Sequence, residues 1–306
     1  MRQVFFKSVR DKAFRTLEKE RTNSWTHFDN LTKEDLEALC SSTKLDIEDI
    51  QDALDLYEIP RIEKERGYVI LFVRAPASRS ENLHTQTLTL ILTTNELISL
   101  SPKSSALILQ VLQKNPPIPT SNRSKLLFYI LLQIAQAFHK KIKGVQNDVL
   151  KTKANLEHVD AKDILALTKS EEILNQYQAS LVPFRGVLER LSSGKVIKLS
   201  EDDADLLEDL LVAIRQSIET CAVSLKSIVS MRNSYQMIFN NSLNKTTKVL
   251  TCLAVIFMIP TLLAGLYGMN VKLPFAESPG AFLGILAVGV FLSLIAVVLF
   301  YWRKWI

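Results

Sequence analysis

The sequence predicts an α+β cytoplasmic domain, followed by long helices and two C-terminal transmembrane helices. Three observations support this fold class. Residues 1–122 alternate short strand-like runs with helical runs, and turn residues separate them. From Arg123 onward the pattern is almost wholly helical. Two long uncharged segments lie within the last sixty residues.

The amino-terminal domain, residues 1–122, contains clear start and stop signals. Thr32 followed by Asp35 predicts a capping box at the start of one helix. A second helix is expected over the sequence LDIEDIQDALDLYEIP, ending at Pro60. Gly67 predicts a turn between two strands. These signals are typical of a mixed domain of strands and helices.

A cytoplasmic helical layer is predicted over residues 123–200, with a turn at Gly194. Between Glu201 and Gly268 the only proline is Pro260, so residues 201–270 are expected to form one stalk helix that continues into the membrane. At 1.5 Å per residue, such a helix would be on the order of 100 Å long. A helix of this length needs neighbours, and parallel copies in an oligomer would supply them.

Two segments are long enough to cross a bilayer, which takes roughly 20 apolar residues. The first uncharged segment has 23 residues, 249–271, and the second has 25, 278–302. They predict transmembrane helix 1 over about 249–268 and transmembrane helix 2 over 281–302. Residues 271–280 would form the loop between them.

Basic residues flank the outer ends of this pair of spans. Lys245 and Lys248 precede the first span, while Arg303 and Lys304 lie in a basic tail over residues 303–306. By the positive-inside rule, both termini are expected in the cytoplasm and the loop over 271–280 outside. The chain is therefore predicted to be a multi-pass protein of the cell membrane, with the lipid bilayer as a partner.

Composition argues against several other classes of protein. The formal charge is only +5, without a dense basic block, so we expect no nucleic-acid partner. The three cysteines are far apart and predict no disulfide framework. The four histidines are isolated, which argues against a zinc site. The absence of a P-loop, a GxSxG motif or a convincing catalytic triad predicts that the chain is not an enzyme.

The first span carries a seven-residue repeat of small and polar side chains, which we call the seam. Two series of residues, each spaced by seven and offset from the other by three, form a single helical stripe. Seven of its eight members are small or polar: Asn244, Thr247, Thr251, Ala254, Met258, Thr261, Gly265 and Gly268.

Two interpretations of the seam remain open from the residues alone. Small residues let membrane helices pack closely, which explains Ala254 and Gly265. Packing explains less well why asparagine and three threonines share the same face. A watery pore accounts for them and is the favoured interpretation, with Met258 as an apolar constriction. Two helices cannot enclose a pore, so this interpretation requires several chains around an axis.

The densest acidic cluster, SEDDADLLEDLL, lies at the start of the predicted stalk helix. Carboxylates are favourable in a first helical turn, which is the simpler interpretation. The alternative is a divalent-cation site shared with a neighbouring chain, since hard cations bind carboxylate oxygens.

The tetrapeptide YGMN, which ends at Asn270, resembles a signature of the CorA family of magnesium transport proteins. Its position at the end of a first span, with a second span close behind, makes the resemblance specific. Further stretches are similar to the family, among them EIPRIEKERGYVILFVRAP, LVPFRGVLERL and the basic-aromatic ending YWRKWI.

This resemblance implies a funnel-shaped homopentamer that conducts metal ions down their electrochemical gradient. Mg²⁺ would be the transported ion, Co²⁺ a possible second one, and no other small-molecule substrate is implied. Gly268, Met269 and Asn270 take the external selectivity position. The remaining family positions along the pore and its gate correspond to Asn244, Thr247, Leu250, Met258 and Thr261. Thr251, Ala254 and Gly265 are added by the seam.

Some relatives are held closed by cytoplasmic Mg²⁺ bound between subunits. Asp209 matches one carboxylate of that regulatory site. The residue expected to pair with it aligns with Ala77, which cannot bind a cation, and Glu81 is a possible substitute.

The predicted function is Mg²⁺ influx. Mg²⁺ gives up its hydration water reluctantly, so a ring of neutral asparagine oxygens can recognise the hydrated ion without stripping it. Two alternatives remain: a Co²⁺, Ni²⁺ or Zn²⁺ transporter of the same family, and a membrane-anchored sensor without flux.

Overall fold

The computed structural model describes most of the chain. Described are residues 1–19, 21–80, 83–153, 161–271, 274, 279–303 and 305. For residues 78–80, 83, 152 and 153 only the backbone is described. Glu81 and Lys304, both named above, lie outside the described residues.

Strand-forming runs rich in β-branched and aromatic residues build one mixed sheet in the described part of the chain. Its strands are β1 (Arg2–Phe6), β2 (Arg15–Leu17), β3 (Trp25–Asp29), β4 (Arg61–Glu65), β5 (Tyr68–Ser80), β6 (Leu83–Thr93) and β7 (Leu97–Ser101). Their spatial order is β2-β1-β3-β7-β6-β5-β4. The predicted turn at Gly67 joins β4 to β5 and has a φ of 102°, which favours glycine.

The centre of the sheet is the parallel pairing of β3 with β7, in which Trp25 lies opposite Leu97. The other neighbours in the sheet pair antiparallel. Trp25 is fully buried, and its indole N–H donates to Ser99 Oγ at 2.9 Å. This bond fixes the two strands in register where no hairpin turn could do so.

Short helices cover part of the sheet. They are α1 (Lys33–Ser42), α2 (Ile47–Ile50) with a 3₁₀ turn over Gln51–Leu54, and α3 (Ala106–Lys114). The predicted capping box at α1 is confirmed, because Asp35 N–H donates to Thr32 Oγ1 and Thr32 N–H donates to Asp35 Oδ2.

The expected second helix up to Pro60 is wrong in its extent. Regular helix stops at Ile50, and the 3₁₀ turn stops at Leu54. Tyr57 N–H then donates to Asp55 Oδ1 at 2.8 Å, a local side-chain bond that competes with continued helix.

Four long helices follow in the described chain. They are α4 (Arg123–Lys153), α5 (Ala161–Ser192), α6 (Glu201–Tyr267) and α7 (Ala281–Trp302). The predicted turn between α5 and α6 contains Gly194, which has a φ of 69°. Both α6 and α7 contain stretches that are long and apolar enough to cross a membrane.

The chain divides into two compact units. The first holds the described residues of Met1–Glu157 and Leu165–Met231, and the second those of His158–Ile164 and Arg232–Ile306. In the first unit, α1 and the 3₁₀ turn bury one sheet face around Phe72 and Ile98. Helix α4 packs on β5 and β6, and its Phe138 makes an edge contact of 5.5 Å with Tyr177 of α5.

Candidate functional site

Helices α6 and α7 pack against each other at a glycine. Gly289 of α7 is buried, and a Cβ added there would lie 3.5 Å from Leu263 Cδ1 and 3.8 Å from Pro260 Cα. Glycine therefore allows α7 to approach α6 closely at Pro260, as small residues commonly do between membrane helices.

Next to this contact, α7 repairs the hydrogen bonding of α6. Because Pro260 has no N–H, the carbonyl of Ile256 lacks the donor that an α-helix normally provides. The hydroxyl of Ser293 in α7 donates to this oxygen at 3.3 Å. In a lipid environment an unsatisfied carbonyl would be costly, so this single bond joins the two helices where it is needed.

The face of α6 that packs on α7 differs from the face that carries the seam. The less accessible residues recur at helical spacing: Val249, Cys252, Ile256, Ile259 and Leu263. The seam residues from Asn244 to Gly265 are all exposed. At 100° per residue, the centres of these two sets lie roughly 150° apart around α6. The seam therefore points away from α7.

Hydroxyl groups on the seam are oriented by the helix backbone. Thr251 Oγ1 donates to the carbonyl of Thr247, and Thr261 Oγ1 donates to that of Phe257, both at 2.8 Å. The single hydroxyl proton is thereby used, so each oxygen presents its lone pairs outward. The seam can accept hydrogen bonds from water or from a hydrated cation.

The apolar members of the predicted pore set are also uncovered within this chain. Met258 is 64% exposed and Leu250 is 67% exposed. Ala254 and Gly265 are likewise exposed. Leu250 lies beside the seam and not on it. The structure thus brings the predicted pore residues to one side of α6.

The tripeptide Gly268-Met269-Asn270 follows directly on the end of α6 at Tyr267. Gly268 N–H makes the last helical bond, to Ala264 O at 2.9 Å, and Met269 N–H then donates to Leu266 O at 3.3 Å. A Cβ on Gly268 would lie only 3.1 Å from Ala264 O, which gives the glycine a local structural reason. Asn270 is exposed beyond the helix end, and helix termination does not explain its side chain.

The acidic cluster at the start of α6 is mainly a helix cap. Ser200 Oγ donates to Asp203 Oδ2 at 2.7 Å, and Asp203 N–H donates back to Ser200 Oγ at 3.3 Å. Asp202 pairs with Lys125 at 3.3 Å. These contacts support the first-turn interpretation for the beginning of the cluster.

Asp209, the predicted regulatory carboxylate, lies two turns further along and is exposed. Ala77 is 9% exposed, and Glu81 lies outside the described residues. Within the described part of the chain, no group of three or more His, Cys, Asp or Glu side chains could hold a metal ion.

At the other end of the two apolar helices, backbone hydrogen bonds continue past the last residue of α7. Arg303 N–H donates to Leu299 O, and Trp305 N–H donates to Phe300 O, both at 3.0 Å. The Trp305 ring stacks on Phe300 with centroids 5.9 Å apart. Lys248 Nζ lies 6.0 Å from the Trp305 ring centroid. The basic flank and aromatic ending were visible in the sequence, but this contact between them was not.

The family model described as "CorA-like Mg2+ transporter protein" matches residues 20–304. The chain belongs to this family. It is therefore a transporter of divalent cations and not an enzyme. The predicted fold class, with its α+β domain, long helices and two C-terminal apolar helices, is confirmed.

Curated relatives include two cobalt/magnesium transport proteins named CorA. The protein of Methanocaldococcus jannaschii is 27% identical over 89% of this chain and 88% of its own length. That of Thermotoga maritima is 25% identical over 84% of this chain and 76% of its own length. The zinc transport protein ZntB of Pectobacterium carotovorum is 25% identical, but over only 47% of this chain and 42% of its own.

Solved structures share the fold. The complete CorA magnesium transporter of M. jannaschii superposes with a TM-score of 0.79 at 23% identity, over 100% of this chain and 99% of that one. The full-length CmaX protein superposes with a TM-score of 0.70 at 17% identity, over 96% of each chain.

Proposed function

We propose that this chain forms a homopentamer that conducts Mg²⁺ into the cell along a pore lined by α6. The observation that carries the proposal is the exposed seam, which points away from α7. A polar stripe facing lipid would be costly, so it needs an aqueous surface or further helices to cover it. Copies arranged around an axis supply both, with α6 inside and α7 outside. The number five rests on the family resemblance.

Selection of the ion is assigned to Gly268, Met269 and Asn270 at the external mouth. Mg²⁺ keeps its waters, and those waters point hydrogen atoms outward. A ring of Asn270 amide oxygens can accept these hydrogen bonds, as can Thr261 and Thr251 further down. The seam contains no carboxylate. Binding is therefore weak enough for the ion to leave, which conduction requires.

The lower part of the pore contains the proposed gate. Met258 and Leu250 form apolar constrictions that block conduction when they lose water, and Thr247 makes the lower one less hydrophobic. Asn244 forms a polar ring at the cytoplasmic end. Both termini are assigned to the cytoplasm because basic residues flank the outer ends of the two spans.

Closure by cytoplasmic Mg²⁺ is assigned to Asp209, with Glu81 of a neighbouring copy as the partner carboxylate. The exposure of Asp209 supports its accessibility to such a partner. With Asp209→Ala, Mg²⁺ influx should continue at millimolar internal Mg²⁺. Glu208 is adjacent and exposed, and the Glu208→Gln variant should still be closed by internal Mg²⁺. If Asp209→Ala closes normally, another site senses the ion.

The test of the main proposal is Mg²⁺ influx into vesicles that contain the purified protein and a Mg²⁺-sensitive dye. Asn270→Ala should abolish most of the influx. Asn241→Ala is the control, since Asn241 is an exposed asparagine of α6 that lies off the seam. Unchanged Mg²⁺ influx through Asn270→Ala would disprove the selectivity role of Asn270. Vesicles that contain the wild-type protein and remain impermeable to Mg²⁺ would indicate a sensor without flux.

A second candidate cargo is a transition metal, because the curated relatives are named for cobalt and for zinc. The seam has no histidine, cysteine or carboxylate that would strip and bind such ions directly. This composition favours a hydrated ion. Competition of Mg²⁺ influx by Co²⁺, Ni²⁺ and Zn²⁺ in the same vesicles ranks the four cations.

A further inference from the structure

Three cationic side chains lie at the same level of the hairpin formed by α6 and α7; we call Lys245, Lys248 and Arg303 the basic rim. The two helices run antiparallel and touch where Ser293 meets Ile256. Counting from that contact at 1.5 Å per residue, Lys248, Lys245 and Arg303 lie roughly 12, 16 and 15 Å along the axis. The three charges therefore share one layer.

Within the described part of the chain, no acidic side chain pairs with the basic rim. The sequence contains no aspartate or glutamate between Glu219 and Glu277 and none after Glu277. Among the ion pairs of the described residues, none involves Lys245, Lys248 or Arg303. Uncompensated charges in one layer repel each other and attract an anion.

Aromatic side chains border this layer on the side of α7. Trp305 is held by its backbone bond to Phe300 and by ring stacking, and it lies against Lys248. Trp302 is 80% exposed and Tyr301 is 71% exposed. Tryptophan and tyrosine favour the headgroup level of a bilayer, where the ring is buried and its polar atom stays wet. The basic rim thus lies at headgroup depth.

We infer that the basic rim binds the phosphate headgroup of an anionic phospholipid in the cytoplasmic leaflet. The inference rests on the proposed orientation in the membrane. Lys245, Lys248 and Arg303 supply charge and hydrogen-bond donors to the phosphate, and Trp305 positions Lys248. Basic pockets at the cytoplasmic ends of membrane helices suit this chemistry, whereas a neutral zwitterionic headgroup offers no net charge to them.

The test uses tryptophan quenching by lipids brominated on their acyl chains. Two of the three tryptophans, Trp302 and Trp305, lie beside the basic rim, and Trp25 is buried in the sheet as an unquenched background. The full chain is reconstituted in mixtures of phosphatidylglycerol and phosphatidylcholine, with one or the other brominated. Their relative quenching gives the preference for the anionic lipid at the rim.

Phosphatidylglycerol should be preferred severalfold; the preference should fall in Lys245→Gln and in Lys248→Gln and approach one in the double variant. Lys226→Gln is the control, because Lys226 is an exposed lysine of α6 that precedes the apolar stretch by more than twenty residues in the sequence. The wild-type preference should also collapse in 1 M salt, where the Debye length is about 3 Å.

Equal quenching by the two lipids, or a full preference in the double lysine variant, would overturn the inference. A carboxylate of a neighbouring copy, as the true counter-ion, would give the first of these results. If the double variant cannot be purified, Arg303→Gln and the salt series decide. Asn270→Ala should keep the lipid preference, so a failure of the pore proposal is distinguishable from a failure of this one.

Discussion

Ser293 donates a hydrogen bond of 3.3 Å to the carbonyl oxygen of Ile256, the group that Pro260 deprives of its helical donor. A break in the hydrogen bonding of one apolar helix is thus repaired by the only serine or threonine of the other. The pairing sets the axial register of α7 against α6, two residues from Met258.

Removing this hydroxyl should destabilise the hairpin only while the proline is present. Ser293→Ala should lower the free energy of unfolding by roughly 0.5–1.5 kcal/mol. In a Pro260→Ala background residue 260 supplies its own N–H, so the same change should cost almost nothing. Denaturant unfolding of the four proteins in micelles measures this double-mutant cycle. Equal losses of stability in both backgrounds would mean that Ser293 does not compensate for the N–H that Pro260 lacks.

Met258 should act as a gate if α6 lines a pore. Met258→Ser keeps the constriction wet and should raise Mg²⁺ influx at high internal Mg²⁺. Leu294→Ser is the control, because Leu294 is an apolar residue of α7 with similar exposure, 58% against 64%. Dye-loaded vesicles report both rates. Equal influx through the two variants would argue against a constriction at Met258.

The capping interpretation of the acidic cluster predicts a stability effect without a metal. Ser200→Ala and Asp203→Ala should each lower the free energy of unfolding by about 1 kcal/mol, since each change removes one partner of the cap. Asp209→Asn, an exposed change outside the cap, should stay within about 0.5 kcal/mol. The measurement is denaturant unfolding in metal-free buffer, and a large loss for Asp209→Asn would contradict this division of roles.

His27 should make stability depend on pH. It is buried on β3, with Nδ1 2.9 Å from Ser99 Oγ and Nε2 3.7 Å from Asp29. Burial lowers the pKa of His27, and the attraction of Asp29 offsets only part of this effect, while the N-terminal amine adds to it.

Stability should fall at low pH because the unfolded chain takes up a proton more readily than the folded chain does. The unfolded chain binds a proton near the ordinary pKa of about 6.5, but the folded chain resists it, so stability is full above that pH. It should fall as the pH drops below that value, until the lower folded pKa is reached. Denaturant midpoints between pH 8 and pH 5 measure the loss, and His27→Gln should remove this component of the pH dependence. An unchanged profile for His27→Gln would assign it to other groups.

Local patterns in the sequence were sufficient for much of the fold. The capping box at Thr32, the turn at Gly67, the long helix that starts at Glu201 and the helix over Ala281–Trp302 depend on neighbours in the chain, although the first long helix ends at Tyr267 and not at residue 270. Such features follow from propensity, hydrogen bonding and apolar length within one segment. The helix expected up to Pro60 does not form over its last residues, because the Asp55 side chain accepts a hydrogen bond from the backbone N–H of Tyr57. Hydrophobic periodicity does not reveal such a bond.

By itself, the sequence determined that two apolar helices exist and that one of them carries a stripe of small and polar residues. Only the tertiary structure decided that this stripe lies on the side of α6 away from α7, and that Ser293 serves Ile256. It also decided the parallel pairing of β3 with β7 and the contact of Lys248 with Trp305. Each of these joins residues far apart in the chain, and their packing depends on shape and hydrogen bonding between segments.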